Sequence, residues 1–162
     1  MLIHLMQHGV CLSKELDVNQ PLSPVGREQI EKSARAAQIL GLQFELILAS
    51  PKVRSLQTAE IMAQHTGYPV SRIEATEAVK AMAPAQTTIN FIHEYDGLDS
   101  ILITGHLPSL NNIASALLSG DNQCDIHIEN GSLIQIELNA SRETGTLNWH
   151  LSAVQLALIA KN

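Results

Sequence analysis

MLIHLMQHGV (1–10) joins an apolar run, MLIHLM (1–6), directly to the polar triplet Gln7-His8-Gly9. The run has the length of a strand, and two more of its kind follow at ELILA (45–49) and SILIT (100–104). Between them apolar residues fall at helical spacing. Ile30, Ala34, Ala37 and Leu40 mark one helix that Gly41 stops. A second starts at Ser50-Pro51, where serine caps and proline takes the first helical position. It continues through Val53, Leu56 and Ala63 to Gly67-Tyr68-Pro69. TTINFIHEY (87–95) reads as a third, ended by Gly97, and a fourth opens at Pro108 and runs through Leu110, Ile113, Ala114 and Leu117 to Gly120.

The C-terminal part changes period. SLIQIEL (132–138) and TLNWHLS (146–152) alternate and are separated by the turn-rich NASRETG, which reads as a hairpin at the edge of the sheet. PVSRIEA (69–75) is a candidate for one more short strand. Strands that alternate with helices predict an α/β fold: a mostly parallel sheet with right-handed crossovers, helices on both faces and a C-terminal antiparallel edge hairpin.

The chain has 162 residues, which predicts a single domain over 1–162 with room for a substantial core. Its hydrophobic share of 45% with only 3% aromatic residues means a core of Leu, Ile, Ala and Val. A formal charge of −6 argues against a general nucleic-acid or anionic-membrane surface, and no apolar run is long enough to span a bilayer. Cys11 and Cys124 lack any disulfide or metal spacing and read as reduced thiols. The cytoplasm is the expected compartment, with neither nucleic acid nor membrane as partner.

In an open α/β sheet, ligands bind beyond the carboxyl ends of the strands. His8 follows the first strand, Arg54 opens the helix after the second, and His106 follows a later strand in ITGH. Two imidazoles and a guanidinium suit a phosphoryl group: arginine matches phosphate oxygens with a planar fork, and histidine can attack or donate near neutral pH.

Those residues, with LSPVGREQ (22–29), SPKVRSLQTAEIMA (50–63) and TGHLPSL (104–110), resemble the histidine phosphatase superfamily, in the family's order and over most of the chain. The small size and the late NWHLS (148–152) resemble its compact, SixA-like phosphohistidine phosphatase branch most. The resemblance implies a phosphoglycerate mutase-like fold and a phosphatase acting on a phosphorylated protein or a small phosphoester, with no cofactor and no metal. By position it makes His8 the nucleophile, Arg54 a phosphate clamp and His106 a second imidazole on the phosphoryl oxygens.

Two departures stand out. Gln7 occupies the position of the family's first arginine, so the phosphate-binding set of Gln7, Arg54 and His106 has lost one charge. Leu107 follows His106, so the acid-phosphatase branch's His-Asp pair is absent, and Glu77 is the candidate general acid. A phosphohistidine substrate tolerates the lack of an acid best, because imidazole leaves more readily than an alkoxide. The alternative is a catalytically weakened member that binds a phosphorylated ligand without turning it over.

The other histidines, His4, His65, His93, His127 and His150, read as structural. On a strand, His4 and His8 stand about 13 Å apart, too far to share a metal. Ser50, Gly26 and Gly105 read as cap and turn residues, and Gln57 and Thr58 as packing and helix-start groups. Nothing beside Cys11 activates its thiol.

Overall fold

The computed structural model describes residues 1–95, 97–120, 124–139, 141 and 143–161. Six strands form one sheet among them: β1 (Leu2–Gln7), β2 (Leu46–Ala49), β3 (Glu74–Ala75), β4 (Ser100–Gly105), β5 (Leu133–Leu138) and β6 (Gly145–Leu151). Their spatial order is β3-β2-β4-β1-β5-β6. The first four are parallel to one another, while β5 runs antiparallel to β1 and β6 antiparallel to β5. The expected sheet, mostly parallel with an antiparallel hairpin at one edge, is therefore what forms.

The continuous apolar runs follow from burial on both faces, where every residue of a strand meets a helix. Ile3 and Leu5 of β1, Leu46 and Leu48 of β2 and Ile101 and Ile103 of β4 point to one side. There they pack under α3 (Ala85–His93) and α4 (Ser109–Ser119), through Ile89, Ile92, Leu110, Ile113 and Leu117. Met6, Ile47, Ala49 and Leu102 point to the other side. Helices α1 (Pro24–Ile39), α2 (Val53–Thr66) and α5 (Ala153–Ile159) cover them with Ile30, Ala34, Ala37, Ala59, Met62 and Leu156. The small alanines let α1 and α2 lie close on the sheet and on each other.

Several boundaries differ from the sequence reading. α1 begins earlier, because Ser23 accepts a hydrogen bond from the Gly26 N–H and Pro24 opens the first turn. α2 begins later than Ser50-Pro51: the N-cap is Lys52, with no side-chain cap, and the Ser50 hydroxyl is engaged elsewhere. α3 starts at Ala85 and has ended by Glu94, before Gly97 is reached. The stretch 69–75 holds a 3-10 turn, Val70–Arg72, and only the two-residue β3. Helix α5 was not expected at all, although Ser152 and Gln155 form a complete capping box there. The expected stops hold at Gly41, Gly67 and Gly120, each with a positive φ, of 71°, 75° and 76°.

The chain places its chemistry through the strand order. From β1 it steps over one position to β2 and on to β3, then returns through α3 to insert β4 between β2 and β1. The carboxyl ends of β2, β4 and β1 thus lie side by side, at the edge where open α/β sheets bind ligands.

Candidate active site

His8 follows β1, and its backbone N–H continues the ladder to the Gly105 carbonyl at 3.1 Å. The next residue, Gly9, lies where a β-carbon would stand 2.6 Å from Ile30 Cγ1 and 2.9 Å from the Gly26 carbonyl oxygen. At Gly26 a β-carbon would be 1.8 Å from the Val10 carbonyl oxygen. This pair of glycines lets the loop after His8 lie directly against the start of α1.

The loop is held by side chains from two helices and from the turn before β5. Thr58 Oγ1 accepts from the Gly9 N–H at 3.2 Å and donates to the Arg54 carbonyl at 2.8 Å. Gln57 Oε1 accepts from the Leu22 N–H at 2.7 Å, and Gln29 Oε1 from the Val10 N–H at 3.2 Å. Asn130 Nδ2 donates to the His8 carbonyl at 2.7 Å, while the Asn130 carbonyl accepts from Gln29 Nε2 at 2.9 Å. Gln57 and Thr58 therefore position the loop that carries His8, a larger part than the sequence assigned them. Asn130 comes from a segment without a motif, and its sequence gave no signal.

The His8 ring is fixed by two hydrogen bonds. Its Nδ1–H donates to the Gly9 carbonyl at 2.7 Å, and its Nε2 accepts from Arg54 Nε–H at 3.1 Å. A nitrogen that accepts from a guanidinium carries no proton, so the imidazole is the neutral Nδ1–H tautomer with its Nε2 lone pair toward Arg54. Burial lowers the His8 pKa and Arg54 lowers it further, against the raising effect of the Gly9 carbonyl. The His106 ring centroid lies 4.9 Å from that of His8. Its pKa falls to about 3, through burial first and then the nearby His8, Arg54 and Lys52. Both rings are neutral at pH 7.

His106 Nε2 lies 2.9 Å from Ser50 Oγ. That is the correction to the reading of Ser50 as a helix cap: the side chain is fully buried and its hydroxyl holds the second imidazole. Gln7 ends β1 beside Gly105, its carbonyl accepting from the Gly131 N–H at 3.0 Å. Its side-chain Oε1 is buried with no hydrogen-bond partner among the described residues. Glu77 stands on a 3-10 turn, Glu77–Val79, where its largely exposed carboxylate forms an ion pair with Lys80.

A cavity of about 230 Å³ opens here, lined by Lys52, Arg54, Lys80, Ala81, Met82 and His106. His8, Arg54 and His106 thus meet at one site, as their positions after separate strands predict. Lys52 and Lys80 join them without having been singled out, since a lysine in a loop reads as a solvated charge. A larger groove of about 580 Å³, lined by residues of α1, α2 and the C-terminal segment including Glu28, Arg35, His65 and Lys161, contains none of the expected site residues. Among the described residues no three His, Cys, Asp or Glu side chains come together to hold a metal ion, and no helix is long and apolar enough to cross a membrane.

Comparison with known proteins bears on the fold. Residues 3–82 match the histidine phosphatase superfamily (branch 1). An uncharacterized protein of Picosynechococcus sp. is 26% identical over 150 residues, which cover 88% of each chain. The structure of the protein histidine phosphatase SixA complexed with tungstate superposes with a TM-score of 0.87 at 23% identity, over 96% of this chain and 99% of that one. A phosphoserine phosphatase mutant of Entamoeba histolytica in complex with phosphoserine gives a TM-score of 0.73 at 15% identity, over 96% and 98%. Both likenesses show the fold.

Proposed function

Since residues 3–82 place the chain in the histidine phosphatase superfamily, we propose that it is a phosphatase that transfers a phosphoryl group to His8 and then to water. The observation that carries this reading is the His8 ring itself. One nitrogen is tied to a backbone carbonyl and the other is unprotonated, beside a guanidinium and a second imidazole.

The steps follow from that geometry. The Nε2 lone pair attacks phosphorus, and the bond from phosphorus to the leaving group breaks with its electron pair on the leaving group. Arg54 releases Nε2 as the phosphoryl group enters and turns its N–H donors to the phosphoryl oxygens, where charge develops. Neutral His106, held by Ser50, offers a hydrogen bond to the same oxygens. Water then attacks phosphorus, the N–P bond breaks back onto Nε2, and inorganic phosphate leaves.

A phosphohistidine on a protein is the substrate that suits this pocket best. Its imidazole leaves without strong acid assistance, and the pocket offers little: Leu107 stands where the acid-phosphatase branch has aspartate, and Glu77 would have to quit Lys80 to reach a leaving group. The likeness to a protein histidine phosphatase points the same way.

Incubation with a phosphorylated phosphotransfer protein, and separately with a chromogenic phosphate ester, tests the reading. Phosphate release should accompany an acid-labile phosphoprotein intermediate, and His8→Ala should abolish both. Undiminished release by that variant would move the chemistry elsewhere. The unpartnered Gln7 Oε1 favours a second reading, a phosphoryl-binding protein with little turnover. Saturable binding without phosphate release would select it.

A further inference from the structure

On a chain with a formal charge of −6, one cavity gathers three cations: Lys52, Arg54 and Lys80. Arg54 is committed to His8 Nε2. Lys52 occupies the N-cap position of α2, but its side chain caps nothing, and no carboxylate pairs with it among the described residues. It stands close enough to His106 for its charge to act on that ring. Lys80 already holds a carboxylate, that of Glu77 three residues before it, and both side chains are substantially exposed. Exposed pairs of this kind are weak and screened by water, so another anion can take the place of Glu77.

Resting on the phosphoryl pocket proposed above, we propose that Lys52 and Lys80 form a second anion subsite beside it, so that the preferred substrate presents a carboxylate close in space to its phosphoryl group. Glu77 fills the Lys80 half of this subsite until substrate displaces it. The subsite places positive charge at the mouth of a pocket that lacks an arginine at position 7. The three cations lining the cavity carry a charge opposite in sign to the net charge of the whole chain, which favours a doubly anionic ligand there.

Phosphonoacetate and ethylphosphonate test the subsite directly, because they share a phosphonate and differ in one carboxylate, and neither is hydrolysed. Calorimetric titration of the wild-type protein should show phosphonoacetate binding about tenfold tighter, the scale of two exposed charge contacts. The preference should shrink to less than about threefold in the Lys52→Gln/Lys80→Gln double variant and survive in Lys52→Arg/Lys80→Arg. Lys52 is exposed and Lys80 half-buried with no place in the core, so the variants keep the fold, and a thermal melt verifies it. Equal binding of the two probes to wild type, or a preference that persists in the glutamine variant, overturns the inference. Turnover identifies the source of the carboxylate: a phosphohistidine peptide flanked by glutamates and a small phosphorylated acid are each compared with an uncharged counterpart. Preference for either charged substrate supports the subsite; His8-dependent release with no preference overturns it and leaves the phosphatase reading intact. Absence of any release overturns the phosphatase reading alone, since the probe titration still decides the subsite.

Discussion

At position 7 a glutamine stands at the end of β1, beside the nucleophile candidate, with its side-chain oxygen buried and unpartnered. An amide offers neutral donors, whereas charge-assisted bonds to phosphate are roughly twice as strong. The loss is felt most in the transition state, where removing one preorganised donor costs on the order of 10² to 10³ in rate. Gln7→Arg should therefore raise phosphate release by at least about tenfold, with the gain vanishing when His8 is also replaced. A normally folded Gln7→Arg protein with no gain in kcat would mean that something other than the missing charge limits turnover. Of the residues around this position, His8, Arg54 and His106 were legible because each follows a strand inside a motif. Ser50 was misread because a serine followed by proline before a helix has the form of a cap. Lys52 and Asn130 were not legible, since only the folded chain brings them to the site.

Among the elements, the contact between the loop after β1 and the first turn of α1 has the least tolerance. Ser23 N–H and Oγ–H both donate to the Val10 carbonyl, at 3.0 and 3.1 Å, and Gly26 presses on the same carbonyl from the next turn. A methyl group at Gly26 has no room without movement of backbone, so Gly26→Ala should cost about 3 kcal/mol in a denaturant melt. It should also lower kcat by displacing the loop that holds the His8 ring. A variant as stable and active as wild type would show that the loop and helix part freely. The pattern of apolar residues made the strands readable, because burial on both faces leaves few polar residues inside them, His4, Thr104 and Gln135 among them. Helix α5 escaped because AVQLALI is short and follows a strand, and only its Ser152–Gln155 box marks a start. Of the stretch 69–75 only Glu74 and Ala75 joined the sheet, because Pro69 and the polar Ser71 and Arg72 favour a turn over a ladder.

Across the whole molecule, one buried ring couples stability to pH. His4 lies in the middle of the sheet, with Nδ1–H donating to the Ile101 carbonyl at 3.3 Å and Nε2 accepting from Gln135 Nε2 at 2.9 Å. Neutral, it is satisfied; protonated, it would face the Gln135 amide with a second donor. Burial lowers its pKa from 6.5 to about 4, outweighing the Ile101 carbonyl. A depressed pKa means that the unfolded chain binds the proton first as pH falls. The contribution of His4 is therefore complete above about pH 6.5 and is lost on the way down to about 4, on the order of 3 kcal/mol in all. Unfolding free energies measured across that window should fall less steeply for His4→Gln than for wild type, and parallel profiles would exclude His4 as the source. The fold class was legible at this scale because alternating strands and helices admit few topologies, whereas the insertion of β4 beside β1 leaves no mark on local sequence. That insertion has a consequence for synthesis. Leu2 pairs with Ser100 on one side and with Glu137 on the other. A ribosome adding about 5–20 residues per second makes the strand that leads into His8 several seconds before either neighbour exists. During that interval its apolar run is an unpaired edge, which a chaperone or another nascent chain can reach before its own partners do.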